Sequence, residues 1–366
     1  LKGKFYPLSR VRKASVADFA TKPDQKLRFY RYNHWVASQD DGGCRLLSAN
    51  YDTLRRVQQR EKMPDNEKNS DIAILEMGPE TAPLRLPEWV KRTVLNTDEN
   101  RGTRKILKEQ GLNTICESGR CPNKGECWSK GTATYLLMGP LCTRTCKFCS
   151  VNKGLPDALD PTEPARVAEA SRQMGLRHVV LTSVNRDDLP DQGAGHFAAT
   201  IRALKDAIPG VAVEVLTPDF QGRRDCIQTV LEAEPVVFNH NIETIPRLYR
   251  KVRPGSKYLR SLEVLKAAKE ICDYIPTKSG IMLGLGESEE EIIGVMRDMR
   301  EHEIDIMTMG QYLRPSRDQL QVVKYYTPEE FDRLGNIALS MGFKTVHSGP
   351  LVRSSYHAEE IARAAN

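Results

Sequence analysis

Six of the nine cysteines lie between Cys116 and Cys149, in two triads. Cys116, Cys121 and Cys127 are spaced C-x4-C-x5-C, and Cys142, Cys146 and Cys149 are spaced C-x3-C-x2-C. A structural zinc site takes four protein ligands, commonly paired as Cys-x2-Cys or completed by histidines. Neither triad has that form. Three thiolates suit a cubane iron–sulfur cluster, in which three irons are tied to the protein and the fourth is open. Two triads therefore predict two clusters, each with one iron for another ligand, and so chemistry as well as structure. Disulfides are the competing use of so many cysteines. The bunched spacing, the Lys- and Glu-rich composition and the lack of a secretory apolar stretch point instead to a reducing compartment. Cys44, Cys226 and Cys272 stand apart and read as ordinary thiols.

Something must hold these triads in place. From the second triad onward the chain alternates between short β-branched runs and stretches with apolar residues at three- and four-residue intervals. Strands are predicted over 133–138, 178–183, 211–216, 236–240, 279–283 and 306–312. Helices are predicted over 163–174, 195–207, 224–234, 245–252 with 258–271, 289–302 and 328–341, two of them opening on Pro161-Thr162-Glu163 and Thr327-Pro328-Glu329. Strand–helix units repeated six times predict an α/β fold, a partial (β/α)6 TIM-like barrel with N-terminal and C-terminal extensions. In such barrels the chemistry sits at the C-terminal ends of the strands. Polar residues fall at those ends: Ser183 to Asp188, Thr217 to Asp219, Asn239 to Glu243, Gly284 to Glu287 and Arg314 to Ser316. Cys142 follows the first strand, so a polar wall should face the second triad.

The expected organisation is an unassigned extension at 1–62, an arm at 63–115, a cluster loop at 116–130, the barrel at 131–345 and a tail at 346–366. The formal net charge of +6 is concentrated at the front: residues 1–62 carry a net +8 and the remainder a net −2. The body therefore gives no electrostatic case for nucleic-acid binding, and no run of apolar residues reaches membrane-spanning length. Residues 1–62 show no clear helical or strand period. Met63-Pro-Asp-Asn reads like an ordinary protein start, which makes 1–62 a misread extension. The rival reading is an organellar transit peptide, since residues 1–17 hold five Lys/Arg and no acids. In the arm, Trp89 is expected to tack Leu86-Pro-Glu-Trp onto the body.

Leu141-Cys-Thr-Arg-Thr-Cys-Lys-Phe-Cys149 resembles the signature of the radical S-adenosylmethionine enzymes, down to the aromatic Phe148. That resemblance implies a 4Fe–4S cluster on Cys142, Cys146 and Cys149. Its open iron chelates S-adenosylmethionine, and one electron yields methionine and a 5′-deoxyadenosyl radical. Phe148, Ser183, Asn185, Glu214 and Asn239 are then candidate contacts to the cofactor. Gly280-Ile-Met-Leu-Gly-Leu-Gly-Glu287 resembles the family's glycine-containing strand beside the adenine, where glycine allows close backbone approach.

Further motifs narrow the resemblance. The first triad, Met138-Gly-Pro-Leu-Cys142, Thr182-Ser-Val-Asn-Arg-Asp-Asp-Leu189, Asn239-His-Asn-Ile-Glu-Thr244 and Arg353-Ser-Ser-Tyr356 together resemble the lipoyl synthases, over about Leu86 to Ala358. The resemblance implies an auxiliary 4Fe–4S cluster on Cys116, Cys121 and Cys127, completed by Ser354 or Ser355, with Ser355 preferred. It implies radical insertion of two sulfurs from that cluster at C6 and C8 of a protein-bound octanoyl-lysine. The implied partners are an octanoylated carrier (an H-protein or a 2-oxoacid dehydrogenase subunit) and a ferredoxin or flavodoxin. The location is cytoplasmic, or mitochondrial or plastid if 1–62 is a transit peptide. One departure stands in Asp191-Gln-Gly-Ala194, where Gln192 replaces a glycine usual in the family. Two competing readings are another sulfur-inserting enzyme of the biotin synthase or methylthiotransferase type, and a non-catalytic iron–sulfur or zinc scaffold.

Overall fold

The computed structural model describes residues 35–40, 43–48, 84–91, 98–129, 134–356 and 358. The chain divides into two units, Leu1–Glu80 and Thr81–Asn366. In the first, strands β1 (Trp35–Asp40) and β2 (Gly43–Ser48) form an antiparallel hairpin with Asp40 opposite Gly43. The composition of 1–62 had promised no strand. The missed signal is the Asp41-Gly42 pair between the strands, a strong short-range hairpin marker. Met63 lies outside the described residues.

The second unit opens with helix α1 (Asp98–Glu109), followed by the short helices α2 (Ile115–Ser118) and α3 (Lys124–Ser129) within the first triad. The remaining elements, in chain order, are β3 (Thr134–Leu137), β4 (Leu141–Cys142), β5 (Asn152–Lys153), α4 (Glu163–Gln173), β6 (His178–Ser183), α5 (Ala194–Ala207), β7 (Ala212–Leu216), α6 (Arg224–Leu231), β8 (Val237–Asn239), α7 (Tyr249–Val252), α8 (Tyr258–Ile271), β9 (Thr277–Leu283), α9 (Glu289–Glu301), β10 (Ile306–Gln311), α10 (Pro328–Ser340) and β11 (Thr345–Gly349).

Seven strands pair in parallel in the order β11-β10-β9-β8-β7-β6-β3. The order is linear and its end strands do not pair, so the barrel is partial. Its strands are buried on both faces, as in β3 and β10, because helices cover the outside and side chains or the site fill the inside. The six predicted strands are present within a residue or two. The seventh, β11, lies across the expected boundary between barrel and tail. Thr345-Val-His-Ser-Gly is short and half polar, with only Thr345 fully buried, so it lacks the apolar run that marks a central strand.

Local chemistry sets the helix starts. Ser288 with Glu291, and Thr327 with Glu330, form reciprocal capping boxes at α9 and α10. Thr162 precedes α4 but does not cap it with its side chain; its own N–H is held by Asp160 Oδ1 at 2.8 Å. Trp89 donates from its indole nitrogen to Tyr326 O at 3.1 Å, the tack expected of the arm. Among the described residues no helix is long and apolar enough to cross a membrane.

Candidate functional site

A cavity of about 340 Å³ opens at the C-terminal ends of the strands. Its wall includes Cys142, Cys146 and Cys149 of the second triad and Cys116 and Cys121 of the first. Ser354 and Ser355 line it from the tail. Cys127 stands on α3 beside these residues but does not line the cavity. Two loops adjacent in sequence thus meet the distant C-terminal motif in one chamber.

The second triad's loop is held by a buried arginine. Arg144 lies between Cys142 and Cys146 and grips Asp187 with two hydrogen bonds, Nε to Oδ2 at 2.9 Å and Nη2 to Oδ1 at 2.7 Å. It also donates to Asp219 Oδ1 at 2.7 Å. Those carboxylates come from the loops after β6 and β7, so the arginine ties the triad to two strand ends. Burial alone would raise the Asp219 carboxyl; the hydrogen bond and charge of Arg144 outweigh it and hold the group down at about 2. Thr143 adds a donor to Asp187 at 2.9 Å, and Lys147 N donates to Val252 O at 2.9 Å. The Asn185 N–H points at Cys142 Sγ at 3.3 Å, the kind of contact that tunes a thiolate ligand.

The first triad is attached to the second and to the tail. Cys116 sits on α2, whose N-cap Thr114 accepts from Glu117 N at 3.3 Å. Ser150, next to Cys149, donates to Ser118 O. Asn123 donates to Leu351 O at 2.7 Å, and the Tyr356 hydroxyl donates to Glu126 at 3.1 Å. Val352 packs over Gly310, where an added Cβ would sit 2.1 Å from its carbonyl oxygen. The C-terminal motif is therefore pinned over the first triad and the barrel mouth, through the backbone of Leu351 and the seat of Val352. Trp128, fully buried next to Cys127, accepts at its carbonyl from the Thr103 hydroxyl at 3.1 Å. Burial pushes the free thiols of Cys116 and Cys149 up to about 11, so loading either triad must displace protons.

The two serines differ. Ser354 exchanges hydrogen bonds with Asn241, at 2.7 Å from Nδ2 and 2.9 Å to Oδ1. Ser355 has no hydrogen-bond partner among the described residues and faces the cavity. Of the other expected contacts, Phe148, Ser183 and Asn185 line the cavity. The Ser183 hydroxyl is buried and unpartnered, an acceptor and donor left for something in the chamber. Glu214 and Asn239 do not line it. They lie fully buried in the barrel interior below, where Lys278 Nζ meets Glu214 Oε1 at 2.8 Å and Asn239 Nδ2 donates to the same oxygen at 3.3 Å. Their place on consecutive strands turns them inward rather than upward.

Asn241, Glu243 and Arg353 line the cavity from within the motifs quoted above, where they had been given no role, and Arg253 lines it with no sequence signal at all. Glu243 carries a left-handed φ of 71°, rare for a residue with a side chain and concentrated at functional sites. Gly280 leaves the floor open, since a Cβ there would come within 2.4 Å of Thr308 Oγ1.

The chamber fits the groups that two triads ask for. Five of the six triad cysteines line a common space, Ser355 lines it from the tail, and the buried Ser183 hydroxyl stands unpaired in the same wall. Among the described residues no three His, Cys, Asp or Glu side chains gather closely enough for a single metal ion. A cubane binds each thiolate through a different iron and so asks for wider spacing than one ion does.

A family model described as the radical SAM superfamily matches residues 136–299. A lipoyl synthase of Caldanaerobacter subterraneus subsp. tengcongensis is 58% identical over 276 residues, 75% of this chain and 96% of that protein. One from Rubrobacter xylanophilus is 58% identical over 274 residues, 75% of this chain and 85% of that protein. Among solved structures, the FeFe-hydrogenase maturase HydG from Carboxydothermus hydrogenoformans superposes with a TM-score of 0.50 at 15% identity, over 73% of this chain and 69% of that one, a likeness of fold.

Proposed function

The chain belongs to the lipoyl synthase family of radical S-adenosylmethionine enzymes, and from that membership we propose how its cavity divides the work. The protein is an enzyme, a radical sulfurtransferase that inserts two sulfur atoms at C6 and C8 of a protein-bound octanoyl-lysine, and its cofactors are two 4Fe–4S clusters and S-adenosylmethionine. When bound, the second-triad cluster supplies the electron that converts S-adenosylmethionine to methionine and a hydrogen-abstracting 5′-deoxyadenosyl radical, and the first-triad cluster supplies sulfur.

Cys142, Cys146 and Cys149 hold the first of these groups, with the Asn185 N–H on Cys142 and the Arg144 clamp fixing the loop. Phe148, Ser183 and Asn185 face the cofactor from the wall. Cys116, Cys121 and Cys127 hold the second group, and Ser355 completes it. Ser354 is the less suitable ligand because its hydroxyl already donates to and accepts from Asn241, whereas Ser355 has no such partner among the described residues. A serine oxygen is a hard donor among soft thiolates, which suits an iron that must later be released. Leu136, Val184, Leu216, Ile281, Met282 and Val352 give the chamber an apolar lining that accommodates an alkyl chain and excludes water from radicals. Glu214, Lys278 and Asn239 serve as the buried polar floor of the barrel.

The octanoylated carrier is an H-protein or a 2-oxoacid dehydrogenase subunit, and each round draws an electron from a ferredoxin or flavodoxin. A reducing, cytoplasmic setting suits the free cysteines of the described residues.

The observation that supports this division is the meeting of the second triad, of Cys116 and Cys121 from the first, and of the serine pair in one cavity. Iron analysis and electron paramagnetic resonance of anaerobically reconstituted protein test it. About eight irons per chain are expected, with one of two cluster signals altered by S-adenosylmethionine. Cys146→Ala should abolish cleavage of S-adenosylmethionine, and Cys121→Ala should keep cleavage while losing sulfur insertion. A Cys121→Ala protein that still made lipoyl product would refute the assignment of the sulfur source.

A further inference from the structure

The chain reaches the second triad through a strained corner. Met138, the first residue past β3, holds a left-handed φ of 68°, and Gly139 follows at 89°. A left-handed conformation is costly for a residue with a side chain and persists only where its surroundings impose it. The imposing group here is Glu163. Its Oε2 accepts the Met138 N–H at 2.9 Å and lies 2.6 Å from His196 Nε2. All three residues are buried. Glu163 opens α4 and His196 stands in the first turn of α5, so two helices outside the barrel converge on one backbone amide at the end of its first strand. Gly193, the N-cap of α5 with φ 87°, completes the seat, since a Cβ there would overlap the Met138 sulfur. Met138, Glu163, Gly193 and His196 all stand outside the cavity wall.

Beyond the corner the loop meets a second reference point. Asn185 presents its N–H to Cys142 Sγ at 3.3 Å, and its carbonyl accepts from Thr143 N at 3.1 Å. The sulfur therefore has a fixed donor on one side. Its place against that donor depends on how Met138-Gly-Pro-Leu141 delivers the chain. That path has little slack: Pro140 has a fixed φ, and Leu141 and Cys142 pair at once with Asn152 and Lys153. The positive end of an N–H dipole at a ligand sulfur favours an added electron, and such bonds help to set a cluster's reduction potential.

We propose that Glu163, steadied by His196, is a positioning residue for the second-triad cluster: by holding the Met138 amide it fixes where Cys142 stands against the Asn185 N–H, and so how readily that cluster is reduced. This rests on the two-cluster function above and deepens it. The role requires reach, an acceptor oxygen at the end of a side chain of this length. It does not require charge. The ordinary role for Glu163, a negative group supporting the N-terminus of α4, requires charge and not reach.

Two substitutions separate these roles. Glu163→Gln keeps the reach and loses the charge, since its amide oxygen can take the place of Oε2. Glu163→Asp keeps the charge and falls short by one methylene. In the metal-free chain, residue-resolved hydrogen exchange should find the Met138 amide about thirtyfold faster in Glu163→Asp and less than about threefold faster in Glu163→Gln. In the loaded protein at one fixed poise, electron paramagnetic resonance should find the ratio of reduced to oxidised second-triad cluster lowered by about fivefold in Glu163→Asp and within about twofold of native in Glu163→Gln. Equal exchange in the native and Glu163→Asp chains overturns the proposal. So does the reverse order of the two variants, which would leave Glu163 with the helix N-terminus as its role. Faster exchange with an unchanged reduction ratio overturns it too, because the corner would then be held without consequence for the cluster. If Glu163→Asp does not load the second triad, the order of exchange in the metal-free chains decides. Protein that holds a single cluster refutes the two-cluster function, whereas the exchange and reduction results refute the positioning role alone.

Discussion

Arg144 offers a direct measure of how firmly the fold grips the second triad. Its substitution by methionine keeps the length of the side chain and removes the charge that Asp187 and Asp219 share. The Asp219 side chain is fully shielded from solvent, and its carboxyl lies at about 2 against an ordinary 3.8. At 1.36 kcal/mol per pKa unit, that difference is about 2 kcal/mol. Losing the second carboxylate contact adds to it, whereas Arg260, 3.5 Å from Asp219 Oδ2, softens the loss. Stranding one partner of a buried pair costs about 3–5 kcal/mol, and the residual arginine places this case near the lower end, about 3 kcal/mol. Urea unfolding of the anaerobic, metal-free chain at pH 7 reads it as a lower midpoint at unchanged slope. The double variant Arg144→Met with Asp219→Asn should recover about 1–2 kcal/mol, because it removes the stranded charge. The sign with pH follows from a lowered carboxyl. Its stabilisation is complete above about pH 4 and is lost as pH falls toward 2, so the native–variant gap should be flat from pH 5 to 8 and shrink below about 4. A loss under about 1 kcal/mol, or a double variant no better than the single one, would refute the clamp.

Ser355→Ala should retain cleavage of S-adenosylmethionine and lose sulfur insertion by about a hundredfold, whereas Ser354→Ala, losing only the Asn241 contact, should fall by about tenfold; single-turnover product analysis separates them, and equal losses would undo the distinction. Gly280→Ala should cost about 1–3 kcal/mol in denaturant unfolding through the clash with Thr308, and Thr308→Ala should relieve it. Gln192 carries a φ of 53°, so Gln192→Gly should raise stability by about 1 kcal/mol, seen as a thermal midpoint a few degrees higher; an unchanged or lower midpoint would show that packing of the buried side chain outweighs the backbone strain.

Much of the site was legible because its signals are local. Cysteine spacing marks Cys142, Cys146 and Cys149 without any tertiary knowledge, and the strand–helix alternation locates their loop at a strand end. The same alternation anticipated Ser183 and Asn185 in the cavity wall. It misjudged Glu214 and Asn239 as wall residues, since a strand residue near the end can turn into the barrel and find a buried partner such as Lys278, 64 positions away. Gln192 shows the opposite case: a departure from a glycine pattern marked a real left-handed position. Arg253 and Arg353 were not legible as cavity residues, because the segment after β8 and the tail meet there only in space. β11 was missed for want of apolar residues, and the choice between Ser354 and Ser355 awaited the position of Asn241.

The central claim is that the first triad's cluster is the source of both sulfurs. Protein reconstituted with isotopically labelled sulfide and moved to unlabelled buffer should be mixed anaerobically with an octanoyl-lysyl peptide, S-adenosylmethionine and a reductant. Mass spectrometry should then find two labelled sulfurs in each lipoyl product, and none after Cys121→Ala. Product carrying unlabelled sulfur, or labelled product from the Cys121→Ala protein, would contradict it.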